Sequence, residues 1–265
     1  MTHWKRRLSS ALALLLALAL TACGGEAGDL EVELTVFAAA SMQETLTEIG
    51  EKYMADHANV RLTFNFDSSG TLKTQIEEGA VCDAFISAGQ KQMDQLEELE
   101  AVLPGTRFDL LENTVALAVP EGNPARINSY DDLKSSLEAG TVLLAMGNSD
   151  VPVGQYTQKI FDCWGLDESA LAESGCLTYG SNVKEVTTQV SEGAVDCGII
   201  YGTDAFSAGL TVVDTATEEM CDQVIYPAAV LQSSAHPDEA GAFLDYIRSP
   251  DGAAVLAGVG FTPLR

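Results

Sequence analysis

Apolar and polar positions along the chain alternate between two rhythms. Residues 34–40 are an apolar run suited to a buried strand. Met42, Leu46, Ile49 and Tyr53 then repeat at helical spacing, and Ser41 with Glu44 three residues on reads as a capping box, so a helix is expected from Ser41 to about His57. Val60, Leu62, Phe64 and Phe66 alternate with polar neighbours as a second strand ending in Asp67-Ser68-Ser69-Gly70. Leu72 and Ile76 mark a short helix stopped by Gly79, residues 81–88 a third strand, and residues 90–100 a charged helix before Pro104-Gly105.

The rhythm then restarts. Residues 114–119 read as a strand, Ser129 with Asp132 opens a helix closed by Gly140, and residues 141–146 form another apolar run. Pro152 occupies a first helical position, with Val153, Tyr156 and Ile160 on one face. Asn182 with Glu185 starts a helix striped by Val183, Val186 and Val190, and residues 197–201 form a strand. After the apolar run 224–230 the pattern returns to helix, from Pro237 through Phe243, Leu244 and Ile247 and again at residues 253–256. Strand–helix alternation of this kind predicts an α/β fold with mainly parallel sheets flanked by helices. Two such blocks and a returning tail predict two lobes: residues 34–112 with 225–265, and residues 113–224.

The amino terminus reads as an address. Lys5, Arg6 and Arg7 precede an Ala/Leu run over residues 11–20, too short for a permanent span of about 20 residues but suited to a signal peptide covering residues 1–22. Leu20-Thr21-Ala22-Cys23 resembles a bacterial lipobox, which implies cleavage before Cys23 and lipid attachment to its sulfur. Residues 23–33 read as a flexible tether. Export permits disulfides. Of the five remaining cysteines, Cys82 and Cys197 sit in apolar runs as buried thiols, Cys163 and Cys176 flank a helix end and its loop and are the preferred pair, and Cys221 is left unassigned.

Composition narrows the function. The 265 residues carry 39 Asp and Glu against 14 Lys and Arg, a net charge of −25, which argues against a nucleic-acid partner. A 46% hydrophobic share argues for a folded body rather than disorder. Three scattered histidines, His3, His57 and His236, offer neither a metal site nor a general base. An enzyme and a structural or adhesive surface lipoprotein are the rival readings. Ser181-x-x-Lys184 matches the Ser-x-x-Lys of penicillin-recognising enzymes, but its Ser-Asp-Asn and Lys-Thr-Gly partners do not occur.

Ser41, Ser69, Val153 and Val183 all fall at expected helix starts, where free N–H groups and the positive dipole end favour anions. In open α/β sheets such starts gather at the carboxyl ends of strands. Phe37-Ala38-Ala39-Ala40-Ser41, Ser68-Ser69-Gly70-Thr71-Leu72, Phe85-Ile86-Ser87-Ala88, Val151-Pro152-Val153-Gly154, Gly198-Ile199-Ile200-Tyr201-Gly202 and Val259-Gly260-Phe261 together resemble the molybdate-binding proteins of ABC importers, from about Leu34 to Phe261. The resemblance implies a periplasmic-binding-protein-like fold. It further implies an oxyanion held by hydroxyl and backbone at Ser41 and Ser69, by the N–H groups of Val153 and Val183, and by the Tyr201 phenol. No metal ion is coordinated directly and no cofactor is needed. The implied partners are molybdate or tungstate, an importer permease and, through lipid, the membrane; the protein would act as a monomer. Val153 stands where Ala is common and Gly70 where some relatives have Ser. Asp67 places a carboxylate beside the expected site, which keeps phosphate open as a ligand, although an exposed turn residue is the favoured reading. Sulfate and small organic anions stay open as ligands too.

Overall fold

The computed structural model describes residues 32–264. The signal peptide, Cys23 and most of the tether lie outside the described residues. The first strand begins at Val32, two residues before the expected start. β1 (Val32–Ala39) leads through a single 3-10 turn, Ala40–Met42, into α1 (Gln43–Asp56). β2 (Val60–Asp67), α2 (Ser69–Glu77), β3 (Ala84–Ile86), α3 (Gln90–Glu98) and β4 (Phe108–Asn113) follow. The chain then enters a second sheet with β5 (Val115–Val119), α4 (Tyr130–Ala139), β6 (Leu144–Gly147), α5 (Pro152–Trp164), α6 (Glu168–Glu173) and β7 (Leu177–Gly180). That lobe ends with α7 (Val183–Ser191), β8 (Cys197–Tyr201), α8 (Gly202–Ala208), β9 (Thr211–Thr215) and α9 (Glu218–Cys221). β10 (Val224–Val230), α10 (Pro237–Arg248), α11 (Pro250–Gly258) and β11 (Thr262–Pro263) return to the first.

The sheets are ordered β11-β4-β10-β3-β1-β2 and β7-β6-β8-β5-β9. They are mixed rather than mainly parallel. Pairing is parallel where β1 meets β2 and β3 and where β6 meets β7 and β8. In each lobe the strand that arrives from the other lobe inserts antiparallel. β10 lies between β3 and β4, and β5 between β8 and β9. A sheet fed by its own βα units is parallel, so the antiparallel members are the consequence of crossing between lobes.

Alternation along β1 sends Val36 and Ala38 into the main core and Phe37 into a smaller cluster with Leu72, Phe85, Met93 and Leu96. The expected strand at 81–88 shrinks to Ala84–Ile86. Val81 is 78% exposed, and the buried Asp83 carboxylate accepts hydrogen bonds from the Thr35 N–H at 2.8 Å and the Ser234 hydroxyl at 2.6 Å. The five described cysteines are free, so the expected Cys163–Cys176 disulfide is absent. Cys163 faces solvent in the last turn of α5, whereas Cys176 is buried before β7, its sulfur accepting from the Ser174 hydroxyl at 3.2 Å. The stretch between them, expected to be loop, is largely the helix α6. Burial pushes the thiols of Cys82 and Cys197 up to about 12, consistent with inert core cysteines.

Candidate ligand site between the lobes

Register brings the site together. Parallel pairing sets Ala39 beside Asp67 and Ala38 beside Ile86, so the segments after β1, β2 and β3 emerge at one edge. In the second lobe Gly147 pairs Gly180 and Ala145 pairs Gly198, which brings the starts of α5, α7 and α8 to a common edge. The two edges meet at a small pocket of about 10 Å³ that includes Ser41, Asp67, Ser69, Val151, Val183 and Tyr201 in its walls. That is the space of about one water-sized sphere, far below the roughly 300–1,000 Å³ of pockets for drug-sized organic ligands. Among the described residues no cluster of His, Cys, Asp or Glu is arranged to hold a metal ion.

Four of the five expected residues, Ser41, Ser69, Val183 and Tyr201, line this pocket. Val153 does not. It is fully buried one position further along α5, while Val151 and Pro152 form the wall. Its N–H remains one of the first-turn donors that have no partner within the helix.

Each hydroxyl has a buried partner, Tyr226 outside the pocket wall for Ser41 and the wall residue Ala88 for Ser69. The Ser41–Glu44 capping box does not form. α1 starts only at Gln43, and the Ser41 hydroxyl lies 2.9 Å from the Tyr226 phenol. Asn113 contacts the same phenol. Its Oδ1 accepts from the Thr114 N–H at 2.8 Å, so its Nδ2 donates, to Thr203 Oγ1 at 2.9 Å and to the Tyr226 oxygen at 3.2 Å. Tyr226 still carries a proton of its own, and where it donates that proton to Ser41 the Ser41 O–H is free to donate into the pocket. Ser69 is arranged likewise by a different route. Ser68 caps α2 by accepting from the Thr71 N–H, while Ser69 Oγ accepts from the Ala88 N–H at 2.9 Å and keeps its proton free. The Tyr201 phenol reaches the Ala88 carbonyl at 3.4 Å, a long bond that a better acceptor can displace. Burial raises Tyr201 and Tyr226 well above the ordinary phenol value, so both remain donors.

Asp67 departs from the exposed-turn reading. It is half-buried, lines the pocket, and its Oδ1 accepts from the Ser68 N–H at 2.7 Å and, across the cleft, from Asn182 Nδ2 at 3.2 Å. A second cross-cleft contact is steric. A Cβ on Gly70 would stand 2.1 Å from the Asp150 carbonyl oxygen, so the absence of a side chain there lets the lobes meet. Tyr226 and Asn113 are not visible as site residues in the sequence, because neither lies in a motif and both act through Ser41 from distant strands. Asn182 caps α7 as expected, accepting from the Glu185 N–H.

Two mixed α/β lobes that close on a small donor-lined pocket define a two-lobed solute receptor. The chain belongs to the bacterial extracellular solute-binding protein family, which it matches over residues 34–262. It is similar to the molybdate-binding protein ModA of Escherichia coli (strain K12), 33% identical over 93% of this chain and 95% of that one. It is also 31% identical to YvgL of Bacillus subtilis (strain 168), over 88% of this chain and 87% of that one; that relative is named as a candidate ABC transporter substrate-binding lipoprotein. Among solved structures, the periplasmic molybdate-binding protein of Azotobacter vinelandii superposes with a TM-score of 0.76 at 19% identity, over 88% of this chain and all of that one, a likeness of fold.

Proposed function

We propose that this protein captures molybdate, and tungstate with it, outside the cytoplasmic membrane and delivers it to the permease of an ABC importer. It works as a monomer held to the membrane by lipid on Cys23, with the oxyanion as cargo and no cofactor. The observation that supports this reading is the pair of serine hydroxyls in the wall of one small pocket, Ser41 held against Tyr226 and Ser69 accepting from the Ala88 N–H with its own proton free. Backbone N–H groups at Val183 and Val153 and the Tyr201 phenol complete the donor set. Charge-assisted hydrogen bonds contribute about 1.5–3 kcal/mol each, so about five to seven hold a dianion without Lys or Arg. The acidic surface does not forbid this, because screening at physiological salt acts over about 8 Å and the donors are nearer.

Hydrogen phosphate differs from molybdate in carrying a proton at neutral pH. Asp67 is the one carboxylate in the pocket wall that could accept it, and it supports phosphate as the second reading. One Asp67 oxygen already accepts two hydrogen bonds, which favours the proton-free anion. An unmet buried hydrogen bond costs about 1–3 kcal/mol, or roughly ten- to a hundredfold in affinity. Calorimetry of the mature protein against molybdate, tungstate, sulfate, phosphate and a small organic anion tests both readings. Molybdate and tungstate are expected to bind at least about tenfold tighter than the others. Phosphate binding as tight as molybdate, and lost in Asp67→Asn, would replace the first reading with the second.

A further inference from the structure

Three charged residues each follow a pocket residue by one to three positions: Glu44 after Ser41, Lys184 after Val183, and Asp204 after Tyr201. They meet in space. The Lys184 ammonium lies 2.9 and 2.8 Å from the two oxygens of Glu44, across the cleft on α1, and 3.2 Å from Asp204 Oδ1 on its own lobe. Among the described residues this is the ion pair that joins a helix of one lobe to a helix of the other; Lys159–Asp222 instead reaches the segment where the chain crosses back. Lys184 is not part of the pocket wall, so its charge is spent on carboxylates and not on the ligand.

The two carboxylates hold the lysine differently. Asp204 is fully buried with no hydrogen-bond partner for either oxygen, and Lys184 is its one ion-pair partner among the described residues. Losing that cation would leave a buried charge uncompensated, a costly state. Glu44 is exposed and can trade Lys184 for water at little cost. Burial opposes the Lys184 charge, but Asp204 and Glu44 outweigh it and hold the amine above the ordinary lysine value.

We propose that Glu44, Lys184 and Asp204 form a charge latch across the cleft. Asp204 keeps Lys184 in place on the second lobe, and Glu44 captures it when the lobes close, so the pair lengthens the residence of the enclosed oxyanion. The identity of that ligand rests on the function proposed above; the latch itself rests on the three side chains. The latch sets a rate of release and leaves association nearly unchanged, because it forms only once the lobes are shut.

Stopped-flow release of molybdate, tungstate, sulfate and phosphate from wild type and Glu44→Gln tests it. The variant is expected to release whichever anion binds about two- to fivefold faster at low salt. Association should be unchanged, and the difference should vanish at roughly 1 M salt, where screening acts within about 3 Å. The double variant Lys184→Met/Asp204→Asn removes the latch without leaving an orphaned buried charge and should release like Glu44→Gln. Equal release rates at low salt for wild type and Glu44→Gln overturn the latch. If none of the four anions binds, the oxyanion reading fails and ligand-free scattering judges the latch. Wild type is then expected to be more compact than Glu44→Gln at low salt only, and equal compactness at both salts overturns it.

Discussion

The two lobes reach the same pocket with different chemistry. The first presents side-chain hydroxyls, Ser41 and Ser69, each hydrogen-bonded to a buried partner: Tyr226, itself bonded to Asn113, and the Ala88 N–H. The second presents a helix start at Val183, where the donor is backbone and needs no particular side chain, together with the Tyr201 phenol, while Val153 lies one position behind the wall. A hydroxyl can turn, so the first lobe needs a network to fix it. A helix N-terminus is oriented by the helix itself. The first lobe should therefore be sensitive to chemistry and the second to backbone and packing.

The largest effect is expected from keeping the lobes apart. Gly70→Val places atoms against the Asp150 carbonyl, so the second lobe's donors never reach the anion. With several charge-assisted bonds lost, affinity should fall at least roughly a hundredfold while the melting temperature changes little. Calorimetry with scattering checks this; wild-type affinity would show that closure does not need that contact. Next comes Ser69→Ala, which removes a donor and the acceptor of the Ala88 N–H, with an expected loss of about 1–3 kcal/mol in binding. Tyr226→Phe lies outside the pocket wall yet should weaken binding by about 1 kcal/mol, because Ser41 is then free to turn. If binding is unchanged in Tyr226→Phe, the relay from Asn113 is not what aims Ser41.

Val183→Ala is the converse test. Its N–H survives, so affinity should hold, while removal of buried methyl groups costs about 1–2 kcal/mol of stability in denaturant unfolding. An affinity loss as large as that of Ser69→Ala would erase the contrast between the lobes. The smallest effect concerns pH. Burial pushes the Asp204 carboxyl up to about 6, with Lys184 pulling the other way, against about 3.9 in an unfolded chain. Protons thus favour the folded form. Its contribution is fully present below about pH 4, is lost as pH rises through about 6, and is level above that. Asp204→Asn should flatten this part of the melting-temperature profile between pH 4 and 7. An unaltered profile would mean that Asp204 keeps an ordinary acidity.

Local pattern is a good guide to helices whose signals are local. Ser129 and Gly140 bracket α4, Asn182 caps α7, and Pro152 opens α5, because capping hydrogen bonds and left-handed glycines act within a few residues. It is a poor guide where partners are remote. Residues 108–113, 177–180 and 211–215 do not stand out as strands in the pattern, since short edge or half-exposed strands take their identity from the sheet that receives them. The Ser41–Glu44 spacing suggests a cap, but the hydroxyl has a stronger claim from Tyr226, 185 positions away.

By itself the sequence determined the alternation of strands and helices, the two-block plan, and four of the residues that line the pocket, because periodicity, capping and motif order are written along the chain. Tertiary structure alone decided the antiparallel insertion of β5 and β10, the pairing of Ser41 with Tyr226, the cross-cleft fit of Gly70, and the free state of Cys163 and Cys176. Each of those depends on groups far apart in sequence that meet only when two lobes fold and close, and no local rule carries that distance.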